Sequence, residues 1–289
     1  MFSRKSIGWV LCGLCLALTS ARAAEKSGGS PVEKLNWTKG PAKAQIKHLA
    51  EVQVPEGFMF TDAKGTQTLL EAMGNPTNGD ELGFLCPTNM DWFVVFEFDE
   101  VGYVKDDDKD KLNADKMLKA IKEGNEEGNK VRKRMGVPPL NIVGWEKPPA
   151  YDEKTHNLEW AIRGESEGDP VVNYNTRLLG RHGVMEVSLV VDPKEMATAL
   201  PKFKELLTGY SYQTGEKYAE YKQGDKVAQY GLAALVVGGA AAVGAKLGLF
   251  AYLALMFKKA WKLIVVAVVA VGAWIRNLVL GKSREPEAE

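Results

Sequence analysis

The sequence predicts an α+β fold: a largely antiparallel sheet packed with about three helices, followed by a C-terminal transmembrane helix or helical hairpin. Three observations carry that expectation. Short apolar or alternating runs, bounded by glycine, proline and asparagine, recur between about residues 40 and 226. Three segments of the same region show helical periodicity instead. Beyond residue 226 the chain stays apolar for longer than a single buried element needs.

Taken in order, the first strand places Ile46, His48, Ala50, Val52 and Val54 on one face, and the sequence PEG at 55–57 stops it. A short helix over 66–73 ends at GNP. The run WFVVFEF is apolar on both faces for most of its length, as a central strand is. A helix over about 113–135 sets Ala114, Leu118, Ile121, Val131 and Met135 on one stripe. Asp115 lies in its first turn and Arg132, Lys133 and Arg134 in its last, which complements the helix dipole; Gly136 and Pro138 close it. Gly124 and Gly128 weaken this helix and are expected where it packs closely on the sheet. Strand-like IVGW and LEWAI follow.

The clearest supersecondary signal is VVNYNTRLLGRHGVMEVSLVV. With residues 180–183 as the loop, Leu179 faces Val184, Arg177 faces Glu186 and Asn175 faces Ser188. Val172, Tyr174, Thr176 and Leu178 then share an inner face with Met185, Val187, Leu189 and Val191. DPKE starts the last helix, with Asp192 as N-cap, Pro193 at the first position and Glu195 closing a capping box. Its apolar stripe is Met196, Ala199, Leu200, Phe203, Leu206 and Leu207, and Pro201 predicts a kink or two short helices.

The two ends read differently. Arg4 and Lys5, the apolar middle at 7–18 and the Ala21-Arg22-Ala23 box make residues 1–23 a secretory signal peptide, followed by a linker at 24–40 and an exported domain at 41–226. Removal of residues 1–23 takes Cys12 and Cys15 with it and leaves Cys86, which excludes an internal disulfide framework. Residues 227–257 make about 46 Å of helix, more than the roughly 30 Å hydrocarbon layer requires. A span beginning near Tyr230 brings Lys246 to the approach of the inner surface, where its long stem reaches the headgroups. Lys258, Lys259 and Lys262 then hold that end in the cytoplasm, in agreement with an exported domain. Ala240, Gly244 and Gly248 recur every four residues, as do Ala234, Gly238 and Ala242, and let another helix approach. Residues 258–289 add a basic segment, a second apolar stretch at 263–280, either a returning hairpin or an interfacial helix, and a polar tail.

Lysine and arginine balance aspartate and glutamate at 37 each, so no global field favours nucleic acid. The polar face of the hairpin, Asn173, Asn175, Arg177, Glu186 and Ser188, reads either as cross-strand pairing or as a recognition surface with Trp145 and Tyr151 nearby. Asp152 and His156, four apart in YDEKTH, are weak metal candidates, because Pro148 and Pro149 before them and a strand after them favour a turn. DDDKD fails the calcium-loop pattern, with Lys111 where glycine belongs and Met117 where the bidentate glutamate belongs. Cys86 reads as a small buried hydrophobe and His48 as a hydrogen-bonded edge residue on the apolar strand face. Neither a Gly-x-Ser-x-Gly elbow nor a Walker loop occurs, and no catalytic residue or cofactor is assigned.

Four stretches, GYVKDDDKDKLNADKML, VGWEKPPAYDEKTHNLEWA, VNYNTRLLGRHGV and GDKVAQYGLAALV, together resemble the domain-of-unknown-function 2167 family of bacterial membrane-anchored proteins. His182 stands where the family pattern more often has arginine or another polar residue. The resemblance implies an envelope protein of the bacterial inner membrane, with its main domain outside the cytoplasm and a C-terminal anchor, and it implies no activity. The order of strands and helices is also similar to the photosystem-P-subunit type of α/β/α sandwich, an analogy of fold alone.

The leading expectation is therefore a non-catalytic envelope protein, held in the lipid bilayer, whose exported domain binds a protein or other envelope component. Its small-residue helix face meets a protein partner or a second copy. The rivals are an exported hydrolase or metal-dependent enzyme built on Asp152, His156 and the acidic loop, and a small-ligand sensor using the hairpin face.

Overall fold

The computed structural model describes residues 35–238 apart from 74, 76, 135 and 137, all within one unit of the chain. The residues 1–23, Ala240, Gly244, Gly248, Lys246, Lys258, Lys259, Lys262 and the stretch 263–280 lie outside the described residues, and with them the expected signal peptide and span. Among the described residues no helix is long and apolar enough to cross a membrane.

Eleven strands are described: β1 Thr38–Lys39, β2 Ala42–Ile46, β3 Ala50–Val54, β4 Phe58–Asp62, β5 Glu81–Pro87, β6 Phe93–Asp99, β7 Asn141–Asp152, β8 Asn157–Ser166, β9 Asp169–Leu179, β10 Val184–Val191 and β11 Tyr210–Tyr212. Four helices accompany them: α1 Ala63–Ala72, α2 Ala114–Arg134, α3 Met196–Thr208 and α4 Leu232–Val236. Eight strands form one sheet in the order β1-β4-β5-β6-β10-β9-β8-β7, and three form a second in the order β11-β3-β2. Every pairing between these strands is antiparallel. The expected α+β class holds in this form.

β6 is central, between β5 and β10, as its nearly continuous apolar run requires. The β9–β10 register is the predicted one, pairing Leu179 with Val184, Arg177 with Glu186 and Asn175 with Ser188. On the inner face Tyr174, Met185, Leu189 and their neighbours pack with the second sheet and α3. On the opposite face are two separate apolar clusters. One, around Leu69, Leu70, Phe84 and Phe93, lies under α1, and the other, around Trp160, Ile121, Leu232 and Leu235, lies under α2 and α4. β7 forms the far edge, where its bulged register and Pro148-Pro149 discourage pairing with another strand.

Several local expectations are corrected. The run from Ile46 to Val54 is not one strand: residues 47–49 turn β2 into β3, with Lys47 at φ 49° and the Leu49 N–H donating to the Ile46 carbonyl at 3.2 Å. Ile46 and Ala50 face one another across that hairpin, so the even spacing mimicked one continuous strand, and His48 is exposed at the tip. α1 starts earlier than expected, because Asp62 caps it by accepting from Gly65 N at 3.1 Å. Asp192 accepts from Lys194 N at 2.8 Å in a turn, and α3 begins only at Met196. α3 then runs through Pro201, its sixth residue, as one helix. Among the described side chains of α2, Met117 and Ile121 are buried and Leu118 is half-buried. A Cβ on Gly128 would meet open space, so that glycine marks no close approach. Side chains tie α2 to the chain around β7: Asn125 and Asn129 donate to the Leu140 carbonyl, and Trp145 donates to the Ala114 carbonyl.

The largest correction concerns the start of the apolar stretch. Val227 bridges Tyr103, Tyr230 donates to the Asp99 carboxylate at 2.9 Å, and Leu232, Leu235 and Val236 are buried against the sheet. Residues 227–238, expected to open the span, are thus part of the domain. Asp108, in the acidic stretch DDDKD, accepts from Leu232 N and Ala233 N at 3.0 and 3.2 Å and caps α4.

Candidate functional site

The hairpin's polar residues come together as predicted but are not an open surface. Arg177 is 2% exposed, Asn173, Asn175 and Ser188 are buried, and Glu186 is half-buried. They fill the seam between the clusters under α1 and under α2 and α4. Arg177 pairs with Glu186 at 2.7 Å and stacks on Trp160 at 4.8 Å, while Ser188 donates to Asn175 Oδ1 at 3.2 Å. Trp145 and Tyr151 sit on β7, with Ile162 and Leu158 of β8 between them and Asn173 and Arg177.

The seam continues where sequence reasoning did not look. Glu186 faces Glu97 on β6, and Glu97 faces Glu81 on β5, so three carboxyl groups and one guanidinium form a single row across four strands. Like charges directly opposite repel, and burial removes the water that would screen them. Burial, then Glu186 and Glu81, push the Glu97 carboxyl up to about 8. Burial raises Glu186 and Asp99 too, Arg177 opposing the rise in both and the Tyr230 hydroxyl opposing it at Asp99. Glu97 was legible as the one charged residue inside the otherwise apolar run WFVVFEF.

Asp152 and His156 occupy a turn. Asp152 accepts from Lys154 N at 2.8 Å, a bond that holds its carboxyl below the usual range. His156, at φ 54°, lies 3.1 Å from the Tyr151 hydroxyl, which donates to Asp106, and its ring packs on Tyr218. The two candidates therefore serve different local networks. Among the described residues no group of three or more histidine, cysteine, aspartate or glutamate side chains is placed to hold a metal ion. Cys86 is buried, and burial pushes its thiol up to about 12.

A cleft of about 330 Å³ opens at one end of the large sheet, assembled from five distant segments. The β2–β3 turn brings Lys47 and His48, the approach to β5 brings Asp80, the end of β6 brings Asp99 and Glu100, the β9–β10 hairpin tip brings His182, and the loop after β11 brings Glu216. His182 Nδ1 lies 2.8 Å from Glu216, and burial raises the Asp80 and Asp99 carboxyls. The cleft is thus concave, mixed in charge and acidic on balance. Its residues stand at strand ends, and reading the 46–54 run as one strand hid the turn that brings His48 there.

The hairpin tip is clamped by the loop after β11. Arg181 forms a two-bond pair with Asp225 at 2.7 and 2.9 Å and donates its backbone N–H to the Glu216 carbonyl, while Tyr212 donates to the Leu178 carbonyl and accepts from Met185 N. This clamp joins two of the four distinctive stretches, the one at the tip and the one entering α4.

Comparison with solved structures finds low similarity of fold. Cyanobacterial PsbP from Synechocystis sp. PCC 6803 is 12% identical with a TM-score of 0.34, covering 66% of this chain and 99% of its own. A Mog1 mutant is 10% identical with a TM-score of 0.29, covering 59% and 94%. The immunity protein TplEi of Pseudomonas aeruginosa is 7% identical with a TM-score of 0.26, covering 59% and 75%. No curated protein matches. Residues 38–269 match the family described as protein of unknown function (DUF2167), and the chain belongs to that family.

Proposed function

We propose that the chain is an envelope protein, held in the membrane by its C-terminal apolar residues, whose domain binds a protein or other envelope component without catalysing a reaction. The observation that supports this reading is the cleft at the sheet end. Its volume lies at the low end for ligand sites, enough for an inserted side chain or chain terminus, and its carboxylates and imidazoles suit a cationic group. The residues a hydrolytic reading would use are committed elsewhere, Asp152 to a turn and His156 to Tyr151.

The test has two parts. Alkaline carbonate washing of cell membranes should leave the full chain in the pellet. A photo-crosslinking residue at Glu100, on the cleft rim, should capture a partner in cells, and Asp80→Lys should abolish the adduct, whereas the same probe at Val143 on β7 should capture none. Release by carbonate, or the absence of any adduct from Glu100, would overturn the reading.

A further inference from the structure

The loop leading from β11 towards α4, residues 213–231, is neutral by sequence, with three lysines and three carboxylates. The fold separates them. Glu216 faces His182, Glu220 accepts from Gly215 N and Lys217 N, and Asp225 is held by Arg181 and by Lys222 N. Lys217, Lys222 and Lys226 remain exposed, with the Lys226 ammonium donating only to the Glu100 carbonyl. The acids are thus turned inward and the cations outward.

Apolar groups lie among these cations. The exposed large hydrophobic residues among the described ones are Val143 at 53%, Tyr221 at 37% and Val227 at 37%. Two of the three meet at Tyr103, whose ring stacks on Tyr221 at 4.2 Å and whose backbone bridges Val227. Val227 is eleven residues before Gly238, so at about 3.5 Å per residue the patch lies within roughly 38 Å of the point where the chain continues into its apolar end. A tyrosine and an aliphatic side chain, each next in sequence to an exposed lysine, match an anionic lipid interface: the aromatic ring suits the headgroup level and the ammonium groups suit lipid phosphate.

We propose that the face formed by Tyr221, Val227, Lys222 and Lys226 around Tyr103 rests on an anionic lipid headgroup layer and orients the domain on the membrane. The proposal rests on the membrane-anchored reading above. The test uses the full chain with Cys12 and Cys15 replaced by serine, reconstituted in vesicles containing phosphatidylglycerol. Buried Cys86 leaves an introduced cysteine as the reactive thiol, and a nitroxide is placed at Gln223 or, as a reference, at Val143. Collision with a water-soluble nickel chelate should be several-fold slower at Gln223 than at Val143. Lys222→Glu with Lys226→Glu, or vesicles of phosphatidylcholine alone, should remove the difference. Equal accessibility at the two sites in a chain that resists carbonate overturns this proposal and leaves anchoring intact. Slow collision that persists in detergent without lipid means a second copy or a protein covers the face, and also overturns it. A chain that washes off the vesicles overturns both.

Discussion

The row Glu81, Glu97, Glu186 and Arg177 makes stability depend on pH with a definite sign. Glu97 is 9% exposed, and its carboxyl is raised from an ordinary 4.5 to about 8. Its folded-state value is the higher one, so the folded chain keeps a proton that the unfolded chain releases. Its stabilising contribution is complete below about pH 4.5 and is lost as pH rises through about 8. At about 1.4 kcal/mol per pH unit the loss is about 5 kcal/mol, a large share of the 5–15 kcal/mol typical of a domain. Glu97→Gln keeps the shape and neutrality of the protonated side chain and cannot ionise. Urea unfolding of the full chain and of this variant, followed by tryptophan fluorescence between pH 5 and 9, measures the effect. The variant should exceed the parent by less than about 1 kcal/mol near pH 5 and by about 1.4 kcal/mol more per unit up to about pH 8, then level off. A difference that stays flat across that range would refute the reasoning, because Glu97 would then ionise equally in both states.

Other perturbations follow from the same structure. Arg177→Met strands Glu186 and should cost about 3–5 kcal/mol at pH 7, while adding Glu186→Met should recover most of it; denaturation midpoints of the two variants decide the point. Asp108→Ala removes the cap of α4 and should cost about 1 kcal/mol, read as roughly fivefold faster hydrogen exchange at Leu232 and Ala233. Gly128→Ala, in a half-buried helix position with room for a methyl group, should raise stability by about 0.5–1 kcal/mol. Gly183→Ala should lower it by about 1–3 kcal/mol, because the new Cβ would overlap the Asp99 carbonyl. Thermal melts of the two alanine variants should shift in opposite directions.

The β9–β10 register, the central position of β6 and the extent of α2 were legible because their signals are local. Period-two alternation and a four-residue loop fix which residues face one another, whatever packs above them. The same locality misled at Ile46–Ala50, where a tight turn preserves parity, and at Pro201, which α3 accommodates as its sixth residue. It misled again at residues 227–238, whose composition alone does not distinguish lipid from a protein core as the apolar surroundings.

By itself the sequence determined which faces of the hairpin are apolar and polar, how its strands pair, and the family to which the chain belongs. Only the tertiary structure decided that the polar face is buried, that His48, Asp80, Asp99 and His182 share one cleft, and that Asp108 caps a helix more than a hundred residues later. The reason is physical. Pairing across a hairpin is set by neighbours along the chain, whereas burial is set by whatever covers a face, here α2 and a C-terminal segment brought back over the sheet.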